Sequence, residues 1–138
     1  MFLNSGTALS LITTHALVTK IYMTIAFRAG TTMDKKNAEG VKKIMDSQKM
    51  KRCQSAQLNE AEWANIFLAT FGILYLKNID TPWASTLAVA GQILYFWPRA
   101  IIGHCHEGGV DPPPYIPGAL MRYGALVLVA KTFWERLA

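Results

Sequence analysis

Four long apolar segments dominate the chain, and their length limits the folds that it can adopt. They cover approximately residues 7–29, 58–77, 83–103 and 116–135. Each is close to the roughly 20 residues that an α-helix needs to cross the hydrocarbon core of a bilayer. Stretches such as IFLATFGILYL and ALVLVA lack the polar face of helical period that a surface helix of a soluble protein shows. The segments therefore predict an all-α, integral membrane four-helix bundle.

The composition is consistent with one membrane domain that also carries a polar segment. The chain has 138 residues, and its length predicts a single domain over 1–138. Hydrophobic residues make up 51% of it and charged residues 17%, but its mean hydropathy is only +0.19 because 31–56 is polar. The hydropathy of the four segments disfavours the alternative of a soluble bundle. A cleaved secretory signal is not expected, since the first six residues contain no basic residue.

Positive charge is concentrated in the loop 31–56, which predicts the orientation of the chain. Seven of the 14 lysine and arginine residues lie between positions 35 and 52. The positive-inside rule places this loop on the cytosolic or matrix side of a membrane, such as that of the endoplasmic reticulum or the mitochondrion. The loop contains interspersed acids and no aromatic residue, so it does not indicate a nucleic-acid partner. The expected partner is the lipid bilayer.

A stripe of polar residues enters the second apolar segment at its basic end. Asn59 and Glu62 are three residues apart and Arg52 lies seven before Asn59, so all three share one face of a helix. Such groups are costly at the mouth of a membrane span unless they face partners or water. The stripe therefore indicates either a binding site or a contact between helices. We expect it to face the bundle interior, with Glu62 as the counter-charge of Arg99 in the third helix.

The connector between the third and fourth segments contains residue types that bind metals. His104, Cys105, His106 and Glu107 are consecutive, however, and four consecutive residues cannot complete a tetrahedral site by themselves. No second group of ligands occurs elsewhere in the sequence, so we expect no metal. No Walker, Rossmann or nucleophile-elbow motif is present either, and the catalytic residues stay unknown.

Taken together, these residues resemble the MAPEG family, the membrane-associated proteins in eicosanoid and glutathione metabolism. The resemblance rests on the pattern R-C-x-x-A-Q-x-N-x-x-E from Arg52 to Glu62, on the K-I-Y element at 20–22 and on Arg99. Within the family, the chain looks most similar to the microsomal glutathione transferase and prostaglandin E synthase branch. The resemblance implies a four-helix protomer that assembles as a trimer, with glutathione between protomers near the cytosolic face. Basic side chains would hold its carboxylates, and an arginine near the start of the fourth helix would stabilise its thiolate.

Several positions depart from this family pattern. Ser55 and Ile102 stand where the family has arginine and histidine, and Tyr115 to Gly118 occupy the place of the thiolate-stabilising arginine. The glutathione-binding residues that the resemblance implies are Arg52, Asn59, Glu62 and Arg99. The possible substitutes for the missing donors are Arg28, His104, Tyr115 and Arg122.

The departures leave two functions open. The sequence favours a MAPEG-like protein with an eroded glutathione site that serves as a structural or scaffold membrane subunit, as a homotrimer or in a larger complex. The alternative is an active membrane-bound glutathione transferase or peroxidase that conjugates lipophilic electrophiles. Removing one preorganised donor costs about 2.7–4 kcal/mol of transition-state stabilisation, so losing several removes most activity unless they are replaced.

Overall fold

The computed structural model describes residues 2–31, 46–102 and 113–136, which form four α-helices. These are α1 (Ser5–Thr31), α2 (Gln48–Leu76), α3 (Pro82–Ile101) and α4 (Ile116–Arg136). Each of the four predicted apolar segments overlaps one of these helices, and the prediction of an all-α four-helix bundle is confirmed. The segment His104 to Glu107 and most of the basic loop lie outside the described residues.

Local sequence explains where α2 begins and ends. Ser47 caps its first turn, because its side chain accepts a hydrogen bond from the Met50 N–H at 3.3 Å. At the other end Asn78 has a φ of 54°, a left-handed conformation that asparagine adopts more readily than most residues. Pro82 then opens α3, where its missing N–H costs nothing. The short turn makes α2 and α3 neighbours, and α2 extends ten residues before the start of the predicted span at position 58.

Buried residues recur at intervals of three or four along the helices, which is the pattern of a helical bundle. On all four helices the buried residues include polar or charged side chains, most notably Glu60 on α2 and Arg122 on α4. The buried residues include Ser5, Ala8, Ile12 and Thr19 on α1, Cys53, Ala56, Glu60, Ala64, Phe67, Phe71 and Leu74 on α2, Ala84, Ser85, Ala88, Val89, Gly91, Gln92, Tyr95, Phe96 and Ala100 on α3, and Gly118, Arg122, Ala125 and Val129 on α4.

Two glycines allow a close approach between α3 and α4. A Cβ atom added to Gly118 would lie 2.6 Å from the carbonyl carbon of Leu94, and still closer to the backbone nitrogen of Tyr95. A Cβ atom on Gly91 would lie 2.9 Å from the backbone nitrogen of Arg122. Neither position has room for a side chain, so the backbones are in direct contact. This contact brings Tyr95 of α3 and Arg122 of α4 together.

Two segments among the described residues are long and apolar enough to cross a membrane by length and composition. They are Ser5–Ala26 and Ile116–Arg136. The apolar stretch of α2 begins with charged residues and that of α3 ends near Arg99, which lowers the mean hydropathy of both. Large apolar side chains cover much of the outer surface of α1 and α4, as expected for a face in contact with lipid.

Candidate functional site

A hydrogen-bonded group of charged and polar side chains lies in the core between α1, α2 and α4. The Oε2 atom of Glu60 accepts from Nη2 of Arg122 at 2.6 Å, and its Oε1 atom accepts from Nδ1 of His15, also at 2.6 Å. The Glu60 and Arg122 side chains are each 1% exposed and that of His15 is 10% exposed. An ionised carboxylate only accepts hydrogen bonds, so Nδ1 of His15 carries the proton. Glu60 therefore ties α2 to both α1 and α4.

Arg122 is held on several sides at once. Its Nη1 atom donates to Oδ1 of Asn59 at 2.7 Å. Its guanidinium carbon lies 4.1 Å from the ring centroid of Tyr95 and 5.5 Å from that of Trp63, distances at which a cation is attracted to an aromatic ring. With Glu60 as counter-charge, Arg122 is a neutralised link between three helices.

Arg99 has a different environment, although it lies close to this group. Its Nη1 atom donates to the hydroxyl of Tyr95, and its Nη2 atom donates to Oγ of Ser55 at 2.7 Å. Its guanidinium carbon lies 5.7 Å from the ring centroid of Tyr115. Among residues 2–31, 46–102 and 113–136, no carboxylate forms an ion pair with Arg99. In the described part of the chain, its positive charge is held by hydroxyl groups and aromatic rings alone.

An open pocket of about 330 Å³ lies where α2, α3 and α4 meet, towards the end of the bundle at which α2 begins and α3 ends. This volume falls at the small end of the range for ligand pockets. Two guanidinium groups and three phenol rings face it, so its polar lining consists mainly of hydrogen-bond donors. Such a lining suits an anion. The pocket is lined by Asn59, Trp63, Tyr95, Arg99, Tyr115, Ala119, Arg122 and Tyr123.

Four of the candidate residues from the sequence line this pocket, two do not, and the side chains of the other two lie outside the described residues. Glu62 is exposed on α2, and Arg52 is half-buried about two turns before Asn59 without reaching the lining. Arg28 belongs to the last turns of α1, but its side chain lies outside the described residues, as does His104. The four that line the pocket are Asn59, Arg99, Tyr115 and Arg122.

The expected contact between Glu62 and Arg99 is wrong. Arg99 instead donates to Tyr95 and Ser55. The physical reason is helical rotation: each residue turns the helix by about 100°, so Glu62 lies about 200° around α2 from the buried Glu60. The interior-facing stripe of the sequence analysis therefore holds for Asn59 but fails for Glu62, and the acid that enters the core is Glu60.

Sequence reasoning also missed His15, Glu60 and Tyr95. The signal for Glu60 was present, because it falls on the same three-and-four spacing as the small residues Ala56 and Ala64. His15 likewise continues the line of Ala8 and Ile12 on α1. A polar residue in register with a buried line indicates a polar contact inside the bundle.

Comparison with known proteins gives this geometry a context. The sequence profile of the MAPEG family matches residues 6–131. The chain belongs to the MAPEG family. It is thus an integral membrane protein with a four-helix bundle, and the MAPEG match covers all eight residues that line the pocket. No curated protein and no solved structure matches the chain at the significance required.

Proposed function

We propose that this MAPEG protein binds glutathione in the pocket around Arg99 and transfers it to lipophilic electrophiles. The observation that carries the proposal is the Arg99 guanidinium, which lines the pocket without an ion pair to any described carboxylate. Glutathione carries two carboxylates, and a guanidinium binds a carboxylate through two parallel hydrogen bonds. An arginine that served structure alone would be expected to have a counter-charge.

The hydroxyl groups beside Arg99 add to this preference for an anion. Tyr95 and Ser55 both accept a hydrogen bond from the guanidinium, which leaves the O–H proton of each available to donate. A bound carboxylate would therefore meet the guanidinium and the Ser55 hydroxyl together, and the Tyr95 hydroxyl stays available as a donor to another group of the ligand. Hydrogen bonds to an ionised acceptor are roughly twice as strong as neutral ones.

The position of the pocket also suits a substrate that arrives from lipid. Leu120 and Tyr123 on α4 are 67% and 60% exposed, and Tyr123 lines the pocket. An apolar electrophile dissolved in the bilayer would reach the pocket along this surface. The thiolate of glutathione would then attack the electrophilic carbon; a carbon–sulfur bond forms, and a halide leaves with its electron pair. The thiol proton passes to solvent.

A structural role is the second candidate, and one observation favours it. Both Nη atoms of Arg122 donate to Asn59 and Glu60, and aromatic rings pack against its guanidinium, so Arg122 links helices. Together with the departures at Ser55 and Ile102, this supports an eroded site in a scaffold subunit. The two candidates differ in whether glutathione binds at all.

A trimer is also part of the proposal. Glu62 and Asn65 are exposed on one side of α2, in the part of the helix expected to lie in the membrane. Polar groups on a membrane span are costly when they face lipid, and a second copy of the chain would cover them. We further propose an endoplasmic reticulum or mitochondrial location, with the basic loop on the cytosolic or matrix side.

Calorimetric titration of glutathione into the detergent-purified protein tests the proposal, with an electrophilic aromatic halide as the substrate for turnover. We expect saturable binding and conjugation in the wild type. Arg99→Gln should weaken binding by about 10- to 100-fold, the loss expected for one charged hydrogen bond. Arg136→Gln is the matched control, because it removes an exposed arginine at the far end of α4. Absence of both binding and turnover in the wild type would favour the structural subunit.

A further inference from the structure

We infer that the Tyr95 hydroxyl is a catalytic residue that stabilises the thiolate of bound glutathione by donating a hydrogen bond to its sulfur. This assignment rests on the proposed function, because it requires glutathione in the pocket. It concerns a residue that neither the sequence motifs nor the family resemblance singled out. Two arginines, Arg99 and Arg122, converge on this one side chain.

Tyr95 lies between two cations that act on different parts of it. Its hydroxyl oxygen accepts a hydrogen bond from Arg99, which precedes the end of α3. Its ring face lies against Arg122, whose guanidinium carbon is 4.1 Å from the ring centroid. The Tyr95 residue is only 8% exposed, so solvent weakens these interactions little. Tyr95 lines the pocket, and positive charge polarises its phenol at both the oxygen and the ring.

This arrangement determines what the Tyr95 hydroxyl can do. Because the oxygen accepts from Arg99, its own O–H proton must point elsewhere. A hydroxyl that accepts a strong hydrogen bond becomes a better donor, since hydrogen bonds in a chain polarise one another. The cation of Arg99 also favours negative charge in front of the hydroxyl, whereas Glu60 compensates the charge of Arg122. The preferred partner of such a donor is an anion.

Other groups at the pocket are less suited to the same role. The Nη atoms of Arg122 donate to Glu60 and Asn59, and the guanidinium of Arg99 is the group proposed to hold a glutathione carboxylate. The ring of Tyr115 faces the cation of Arg99, whose guanidinium carbon lies 5.7 Å from the ring centroid. Among the described residues, the charged groups near Tyr95 are Arg99 on α3, Arg122 on α4 and, behind Arg122, Glu60 on α2.

The chemical step requires no other reactant than glutathione and its electrophile. A free thiol has a pKa of about 8.5, so at neutral pH most of it is protonated. In the site the thiol loses its proton to solvent, and the Tyr95 hydroxyl donates a hydrogen bond to the resulting sulfur anion. The sulfur then forms a bond to carbon, and the leaving group departs with its electron pair. Tyr95 keeps its proton throughout.

The ultraviolet absorbance of the bound thiolate and the pH dependence of kcat/KM test this assignment. In Tyr95→Phe we expect glutathione affinity to stay within about threefold of the wild type, since the carboxylate contacts through Arg99 remain. We expect the thiolate absorbance to disappear, and kcat/KM at neutral pH to fall by about 10²–10³-fold with its profile displaced to higher pH. Tyr75→Phe is the matched control, because it removes a hydroxyl from an exposed phenol near the end of α2, outside the lining of the pocket.

A second variant addresses the case in which Tyr95→Phe fails to fold. A fluorinated tyrosine at position 95 keeps the shape of the side chain and makes its phenol a stronger donor. It should displace the thiolate titration to lower pH, whereas a structural role would leave the titration unchanged. Persistence of the full thiolate signal in Tyr95→Phe overturns the assignment, and so does a wild type that binds glutathione as the neutral thiol. Both results leave glutathione binding intact, whereas a wild type that does not bind contradicts the proposed function itself.

Discussion

Glu60 and Arg122 face each other at 2.6 Å in the core of the bundle, each with a side chain that is 1% exposed. This pair, together with His15, is the polar connection between α1, α2 and α4. Two charges in so buried a place are stable only as partners, because removing one leaves the other uncompensated. The interaction therefore constrains how the helices can pack.

Replacing Glu60 by Gln should destabilise the protein strongly. The change leaves Arg122 as an unpaired buried cation, and breaking a buried pair in this way costs about 3–5 kcal/mol. Thermal unfolding in detergent measures the effect. Glu62→Gln is the matched control: Glu62 is the same residue type two positions away, but it is exposed, and its replacement should leave the unfolding temperature of the protomer almost unchanged. Equal shifts for the two variants would contradict the arrangement.

Glu60 and Glu62 show which features of the structure could be predicted from the sequence and which could not. Hydropathy predicted the number and the place of the helices, because the length of an apolar segment depends on local composition alone. The partner of Arg99 could not be predicted in this way. It depends on which face of α2 is buried, and the choice of Glu62 followed its place on the polar stripe with Asn59 although Glu60 lies on the buried line.

The residues of the site also divide into those that the sequence predicted and one that it did not. Asn59, Arg99, Tyr115 and Arg122 were candidates from the sequence, and they meet in one pocket. Tyr95 had no such signal, because its place between two arginines arises from the contact of α3 with α4 at Gly118. Contacts between distant segments of this kind depend on the packing of backbones, which composition does not reveal.

The contact at Gly118 gives a second prediction. Gly118→Ala would place a methyl group 2.6 Å from the Leu94 carbonyl carbon, and backbone cannot move aside as a flexible side chain can. Forcing extra atoms into a packed contact costs about 1–3 kcal/mol, and here it should also separate Tyr95 from Arg122. Lower unfolding temperature and weaker glutathione binding are the expected results.

Gly72→Ala is the control for this change. Gly72 also lies inside a helix, but an added Cβ atom meets no atom within 4 Å. Alanine is favoured over glycine in a helix by up to about 1 kcal/mol, so this variant should be as stable as the wild type or more so. If both variants behaved alike, the close approach of α3 and α4 would be incorrect.

His15 provides a third prediction. His15→Phe keeps a ring in the same place but removes the donor to Glu60, and the loss of a hydrogen bond to a charged group costs about 1.5–3 kcal/mol. His15→Asn offers an amide N–H close to the position of Nδ1 and should recover part of this loss. The free energy of unfolding measured for both variants checks the order. A Phe variant at least as stable as the Asn variant would show that the hydrogen bond contributes nothing.

The two arginines of the pocket should respond differently to the same conservative change. In Arg122→Lys the fork that reaches both Asn59 and Glu60 becomes a single ammonium group, which cannot keep both bonds in their present geometry. We expect a loss of about 1–3 kcal/mol of stability, because a buried acceptor is left without its donor.

Arg99→Lys should change the unfolding temperature little, since Arg99 is only half-buried and its partners are hydroxyl groups. Its effect should appear in glutathione affinity, because an ammonium group cannot hold a carboxylate in the bidentate manner. Thermal unfolding and calorimetric titration of both variants separate these effects. Loss of stability in Arg99→Lys without loss of affinity would place Arg99 in the structural framework and leave the pocket without its ligand-binding cation.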